Sequence, residues 1–66
     1  MPEIASSLST YRQEAGLTQA ELAARVGVTR QTIIAIERGS YAPSVRLALA
    51  LAREFSCSVE NLFHFQ

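Results

Sequence analysis

An all-α fold of five short helices is the expectation this sequence sets. Three observations carry it. Apolar residues recur at three- and four-residue spacing, Gly16, Gly27, Gly39 and Pro43 punctuate the chain, and Thr or Ser stands where four of the helices would begin. No segment shows the alternation of an internal strand. The chain has 66 residues, so one domain, residues 1–66, is expected, with no repeat, linker or low-complexity tract. A domain of this size buries only ~60% of its unfolded surface and depends on an efficient core, self-association or both.

The first helix is expected over about Ile4 to Ala15, striped by Leu8, Tyr11 and Ala15 and ended by Gly16. Thr18 and Glu21 have the spacing of a capping box for the second helix, in which each side chain satisfies a free N–H at the helix start. Leu22, Ala23 and Val26 form its apolar stripe, and Gly27 suits a left-handed terminator. Thr29 caps the third helix, which turns Ile33 and Ile36 inward and stops at Gly39; Ser40 to Pro43 is a loop. Ser44 caps a fourth helix of about a dozen residues striped by Ala48, Leu51, Ala52 and Phe55, and Ser58 caps a short fifth helix with Val59, Leu62 and Phe63 inward.

The second and third helices are joined by so few residues that they must cross closely. Ala23 provides the small contact residue, Gly27 the positive φ and Val28 a plug under the turn, while Leu22, Val26, Ile33 and Ile36 seal the pair to the core. Size, flexibility and polarity constrained at fixed offsets are the mark of a helix-turn-helix, here over about residues 18–38. At 100° per residue, Thr29, Ile33 and Ile36 fall on one side of the third helix. Gln31, Ala35 and Arg38 fall opposite, flanked by Ile34 and Arg30. A helix in the major groove of double-stranded DNA uses these types: Arg for guanine O6 and N7, Gln for adenine N6 and N7, Ala or Ile against a thymine methyl. Base reading is therefore assigned to Arg30, Gln31, Ile34 and Ala35, in preference to a merely solvated face.

The stretch "LTQAELAARVGVTRQTIIAIERGSYAPS" resembles the Cro/C1-type (Xre, lambda-repressor-like) helix-turn-helix family, and the resemblance runs from Leu8 to Phe63. "LTQAELA", "GVTRQTI", "IERG" and the following "P-S" are its most specific marks. The resemblance implies a lambda-repressor-like fold and a bacterial or phage transcriptional regulator acting as a homodimer. It also implies DNA phosphate contacts from Gln19, Thr29, Thr32, Arg38, Ser40, Tyr41 and Arg46. An anion at Gln19 is welcome on physical grounds too, because a helix N-terminus presents free N–H groups. Glu37 falls at the edge of the buried side of its helix, where a carboxylate needs a partner. The family pairs an Arg and a Glu at the matching positions, which makes Arg12–Glu37 an internal salt bridge. The first helix departs from the family pattern in offering Arg12 as its only cation.

Near the chain's end, Phe65 has little protein to cover it. Val45, Leu49, Leu62 and Phe65 are expected to meet a second copy, with residues 58–66 as a dimer contact, and Phe-His-Phe suits a tail pairing with its partner's tail. A two-fold dimer would set two recognition helices about 34 Å apart on a palindromic operator. Repression by operator occupancy is the leading function. A restriction–modification controller, an antitoxin-like autoregulator and a protein-interaction module on the same fold are the alternatives.

Composition narrows the classes further. Net charge is zero, which speaks against indiscriminate coating of nucleic acid; all six basic residues are Arg and all six acidic ones Glu. Cys57, with apolar Phe55 and Val59 two positions to either side, reads as a small hydrophobe in a reducing compartment. His64 has no Asp to orient it and no second ligand nearby. No phosphate-binding loop or nucleophile motif is present, so no enzyme, metal, cofactor or small-molecule ligand is expected. No segment approaches ~20 apolar residues and the start is not a signal peptide. The expectation is a soluble, cytoplasmic, nucleoid-associated protein with no membrane partner.

Overall fold

The structure, a computed structural model, describes residues 3–66. In chain order these form β1 (Ile4–Ser6), α1 (Leu8–Glu14), α2 (Gln19–Val26), α3 (Arg30–Glu37), α4 (Val45–Glu54), α5 (Val59–Leu62) and β2 (Phe63–Phe65). The helices start where capping chemistry allows. Thr18, Thr29, Ser44 and Ser58 have extended backbones, and their hydroxyls accept the N–H groups of Glu21, Thr32, Leu47 and Asn61. At α2 the box closes, with Glu21 Oε1 accepting the Thr18 N–H at 2.8 Å. That bond, reinforced by the Thr18 hydroxyl, holds the Glu21 carboxyl below its ordinary value. Asn61 plays the same reciprocal part at Ser58, a second box with Asn where Glu or Gln is usual.

The helices enclose a core of Leu8, Leu22, Ala23, Val26, Ile33, Ile36, Leu47, Leu51, Ala52 and Leu62. Leu8, Leu22, Ile33, Ile36, Leu51 and Leu62 have essentially no exposed surface, and no polar residue among those described is buried with them. Tyr11 and Phe55 pack at the margin with ring centroids 6.0 Å apart and planes tilted by 53°. Leu47 joins the core one helical turn before Leu51, a position the expected stripe on α4 left out.

The start and end of the described chain depart from the all-helical expectation. Residues 4–6 are extended, and the first helix begins at Leu8, not near Ile4. They pair antiparallel with β2 in the register Ile4↔Phe65, Ala5↔His64 and Ser6↔Phe63. Flanking bonds run from Ser7 N–H to the Leu62 carbonyl at 2.8 Å and from Gln66 N–H to the Glu3 carbonyl at 2.9 Å. Phe-His-Phe is thus paired within its own chain along one edge. The physical reason is the supply of backbone partners. A three-residue stretch before Leu8 gains no helical bonds that it could not find in a ladder, and Ser6 competes for the helix start by accepting the Leu8 N–H on its hydroxyl at 3.2 Å.

Leu62 requires a second correction. Expected both inward on the fifth helix and at a dimer interface, it is 0% exposed and belongs to the core, so the inward reading holds and the interface reading does not. Its carbonyl accepts the Ser7 N–H, which draws the end of α5 beneath α1. Ala15, expected on the buried stripe of the first helix, is exposed because α1 ends before it. Among the described residues no helix is long and apolar enough to cross a membrane.

Two helix ends rely on left-handed backbone in different ways. After α2, Gly27 sits at φ 75°, and a Cβ added there would meet no atom within 4 Å. After α4, the left-handed residue is Ser56, at φ 52°, and the Cys57 N–H reaches back to the Ala52 carbonyl at 3.0 Å. A side chain in this conformation costs roughly 1–2 kcal/mol. Gly27→Ala is expected to lower unfolding stability by about 1 kcal/mol through conformation alone, and Ser56→Gly to raise it by about 1 kcal/mol. Opposite shifts in denaturant midpoint at unchanged slope would record both effects.

Candidate nucleic-acid interface

The candidate site is built on the α2–α3 elbow. Ala23, almost fully buried, lies where the two helices approach. Its carbonyl accepts both the Gly27 N–H and, at 3.0 Å, the Val28 N–H. Val28 packs half-buried against the core beneath the turn. α3 then leaves the elbow with Ile33 and Ile36 buried. This pinning leaves Arg30, Gln31 and Arg38 exposed, with Ile34 and Ala35 half-buried beside them.

The polar groups expected around α3 divide between local structural bonds and free surface. Thr29 caps the helix, and its hydroxyl lies 3.1 Å from that of Thr32. Ser40 donates its hydroxyl to the Ala35 carbonyl at 3.2 Å, and the Ser40 N–H reaches the same oxygen at 3.1 Å. Arg38 closes the end of α3 and stays exposed, as do Tyr41 in the following loop and Arg46 in the first turn of α4.

Glu37, the last residue of α3, collects a network that fixes this arrangement. Arg12 Nε donates to Glu37 Oε2 at 2.6 Å and Arg12 Nη2 to Oε1 at 3.2 Å. Arg12 Nη1 donates to the Leu17 carbonyl at 2.8 Å. The two side chains are only 12% and 8% exposed. Hydrogen bonding to Glu37 holds the Arg12 guanidinium above its ordinary value. Gln19, at the start of α2, donates its amide to Glu37 Oε1 at 3.1 Å. One carboxylate thus joins α1, α2 and α3. Gln19, expected to bond phosphate, has committed one of its two N–H groups inward. No local pattern signals this bond, because 18 residues separate Gln19 from Glu37.

Other chemistry finds little foothold. Cys57 is half-buried against the core, and burial pushes its thiol up, away from the reactive thiolate. Among the described residues no three His, Cys, Asp or Glu side chains converge to hold a metal ion.

A family model described as helix-turn-helix matches residues 8–62. The chain belongs to the Cro/C1-type helix-turn-helix family of DNA-binding transcriptional regulators. An uncharacterized HTH-type transcriptional regulator of Methanothermobacter thermautotrophicus is 58% identical over 57 residues, covering 80% of this chain and 78% of the relative. Another, from Methanocaldococcus jannaschii, is 46% identical over 61 residues and 92% of each chain. YgzD of Bacillus subtilis is 48% identical over 58 residues and 88% of each. These relatives come from archaea as well as a bacterium, a wider range than the bacterial or phage origin implied by the resemblance. Among solved structures, the clp gene regulator ClgR of Corynebacterium glutamicum superimposes with a TM-score of 0.74 at 28% identity. The match covers 82% of this chain, which spans only 57% of the ClgR chain.

In this helix-turn-helix chain, the bond network around Glu37 has a measurable consequence. Removing one partner of a buried ion pair costs ~3–5 kcal/mol when the site is fully dry. The Arg12–Glu37 pair keeps 12% and 8% of its side-chain surface exposed, so Arg12→Ala is expected to lower stability by about 2–3 kcal/mol in chemical denaturation. Arg12→Lys should recover less than half of that loss, since an ammonium cannot supply the forked bond to Glu37 and also reach Leu17.

Proposed function

We propose that this chain is a repressor that binds a palindromic operator as a homodimer, inserting the first turns of α3 into the major groove. The exposed edge of α3, with Arg30 and Gln31 standing over buried Ile33 and Ile36, is the observation that carries the reading. Arg30 has the donor fork for guanine, Gln31 the paired donor and acceptor for adenine, and Ile34 and Ala35 the apolar surface for a thymine methyl. The remaining N–H of Gln19 with the free N–H groups opening α2, the Tyr41 hydroxyl, the hydroxyls of Thr29, Thr32 and Ser40 on rotating out of their local bonds, and the guanidinium groups of Arg38 and Arg46 serve the phosphates on either side.

Support for a dimer comes from three apolar side chains left in solvent: Val45, 77% exposed, Leu49, 57%, and Phe65, 69%. Val45 and Leu49 stand one turn apart on a single ridge of α4. The domain measures 32 × 23 × 20 Å. Two copies side by side can set their α3 helices at the ~34 Å spacing of one DNA turn. Light scattering at micromolar concentration is expected to give twice the chain mass, and Leu49→Glu to return it to the monomer value.

Selection of bound duplexes from a random pool tests the function directly. A preferred site should emerge and bind ~10³-fold or more tighter than random duplex; equal affinity for all sequences overturns the reading. On the selected site, Gln31→Ala is expected to lose ~1–3 kcal/mol and relax the preference at one base position. Arg38→Ala should weaken all sequences alike and reduce the salt slope by about one contact.

A further inference from the structure

Away from the edge of α3, the C-terminal end of α2 and the outer side of α4 enclose an open groove of about 520 Å³, lined by Arg25, Val26, Arg46, Leu49, Ala50, Arg53 and Glu54. Three of the six arginines of a chain with zero net charge converge on it. Its one carboxylate, Glu54, is already bound by Arg25 at 2.7 Å. Arg46 and Arg53 have no ion-pair partner among the described residues. Beneath these cations lies an apolar floor of buried Val26 and half-buried Ala50, with exposed Leu49 at the lip.

We propose that this groove docks an acidic segment of a partner protein, one that carries an apolar side chain between its carboxylates. The apolar group covers Val26, Ala50 and Leu49, and the carboxylates meet Arg53 and the exposed side of Arg25, with Arg46 at the mouth. Charge complementarity selects the occupant: a cationic rim in a neutral protein gains nothing from a basic or neutral partner. The other polyanion, a nucleic-acid backbone, fits less well. It has no apolar group to cover the floor of Val26, Ala50 and Leu49. Guanidinium groups are suited to carboxylates because they donate two parallel bonds in one plane.

The probe is a short fluorescein-labelled amphipathic peptide with Glu and Leu at helical spacing, read by anisotropy against the full chain. A matched peptide with Lys for Glu serves as control. Saturable binding of the acidic peptide alone is expected, weakened by about tenfold or more in Arg25→Ala/Arg53→Ala and unchanged in Arg30→Ala. Both substituted groove side chains are exposed, so the fold survives their loss, and circular dichroism verifies it. Absence of saturable binding, or a loss in Arg30→Ala as large as in the groove variant, overturns the proposal. A third measurement, duplex affinity of Arg53→Ala, should match the unsubstituted chain. A parallel loss of DNA affinity instead assigns the groove to the phosphate backbone and overturns docking of a protein.

Discussion

The geometry of this domain turns on a single carboxylate that is largely shielded from water. Glu37 closes α3, and a charge so placed is tolerable only if donors converge on it. Arg12 supplies two bonds and Gln19 a third, from two different helices. Because α3 is only eight residues long, few contacts define its direction. Ile33 and Ile36 seat it on the core, the Gly27 elbow fixes where it begins, and Glu37 fixes where it ends. Arg12 also holds the Leu17 carbonyl, so the approach to α2 is tied to the same point. The exposed edge is therefore presented in one orientation before any partner arrives, which lowers the ordering cost of binding.

The same network explains how a chain without net charge can present a basic edge. Among the described residues, Arg12 neutralises Glu37 and Arg25 neutralises Glu54, while Glu21 is occupied by its capping box. Arg30, Arg38, Arg46 and Arg53 are left without ion pairs, and the first two stand at opposite ends of α3. The remaining acidic residues, Glu3, Glu14 and Glu60, belong to other parts of the chain. A surface field is a property of where charges remain uncompensated, so the overall sum conceals it.

What could be read in the sequence was what is decided locally. The four caps at Thr18, Thr29, Ser44 and Ser58 depend on residues three positions apart, and the Gly27 elbow on a conformation that glycine adopts freely. The Arg12–Glu37 pairing needed the family resemblance beside the helical wheel, since 25 residues separate the two. Of the pairing of residues 4–6 with 63–65 only half was legible: the Phe-His-Phe alternation suited a pairing strand, but residues 4–6 carried no period and lie at the opposite end of the chain. Helical spacing turned Leu62 inward correctly, but its added place at a dimer interface failed for the same reason: an apolar residue near a terminus looks available until the opposite end of the chain covers it. Ser56 was illegible in another way, since Ser carries no preference for the left-handed conformation that its turn imposes.

Moving Leu62 into the core also changes what self-association can use. Apart from Tyr41 in the loop after α3, the exposed large apolar side chains that remain are the Val45–Leu49 ridge on α4 and Phe65 on β2. Leu49 is at once part of that ridge and the lip of the arginine-lined groove. A side chain can be covered only once, so a partner that extends over Leu49 from the groove and a second copy that covers it from the ridge oppose each other. Linkage makes the opposition reciprocal: whatever factor the partner takes from dimer affinity, dimerisation takes from partner affinity. On the proposed reading, operator binding by two subunits depends on the dimer, so occupancy of the groove is felt at the operator through Leu49 as well as through Arg46.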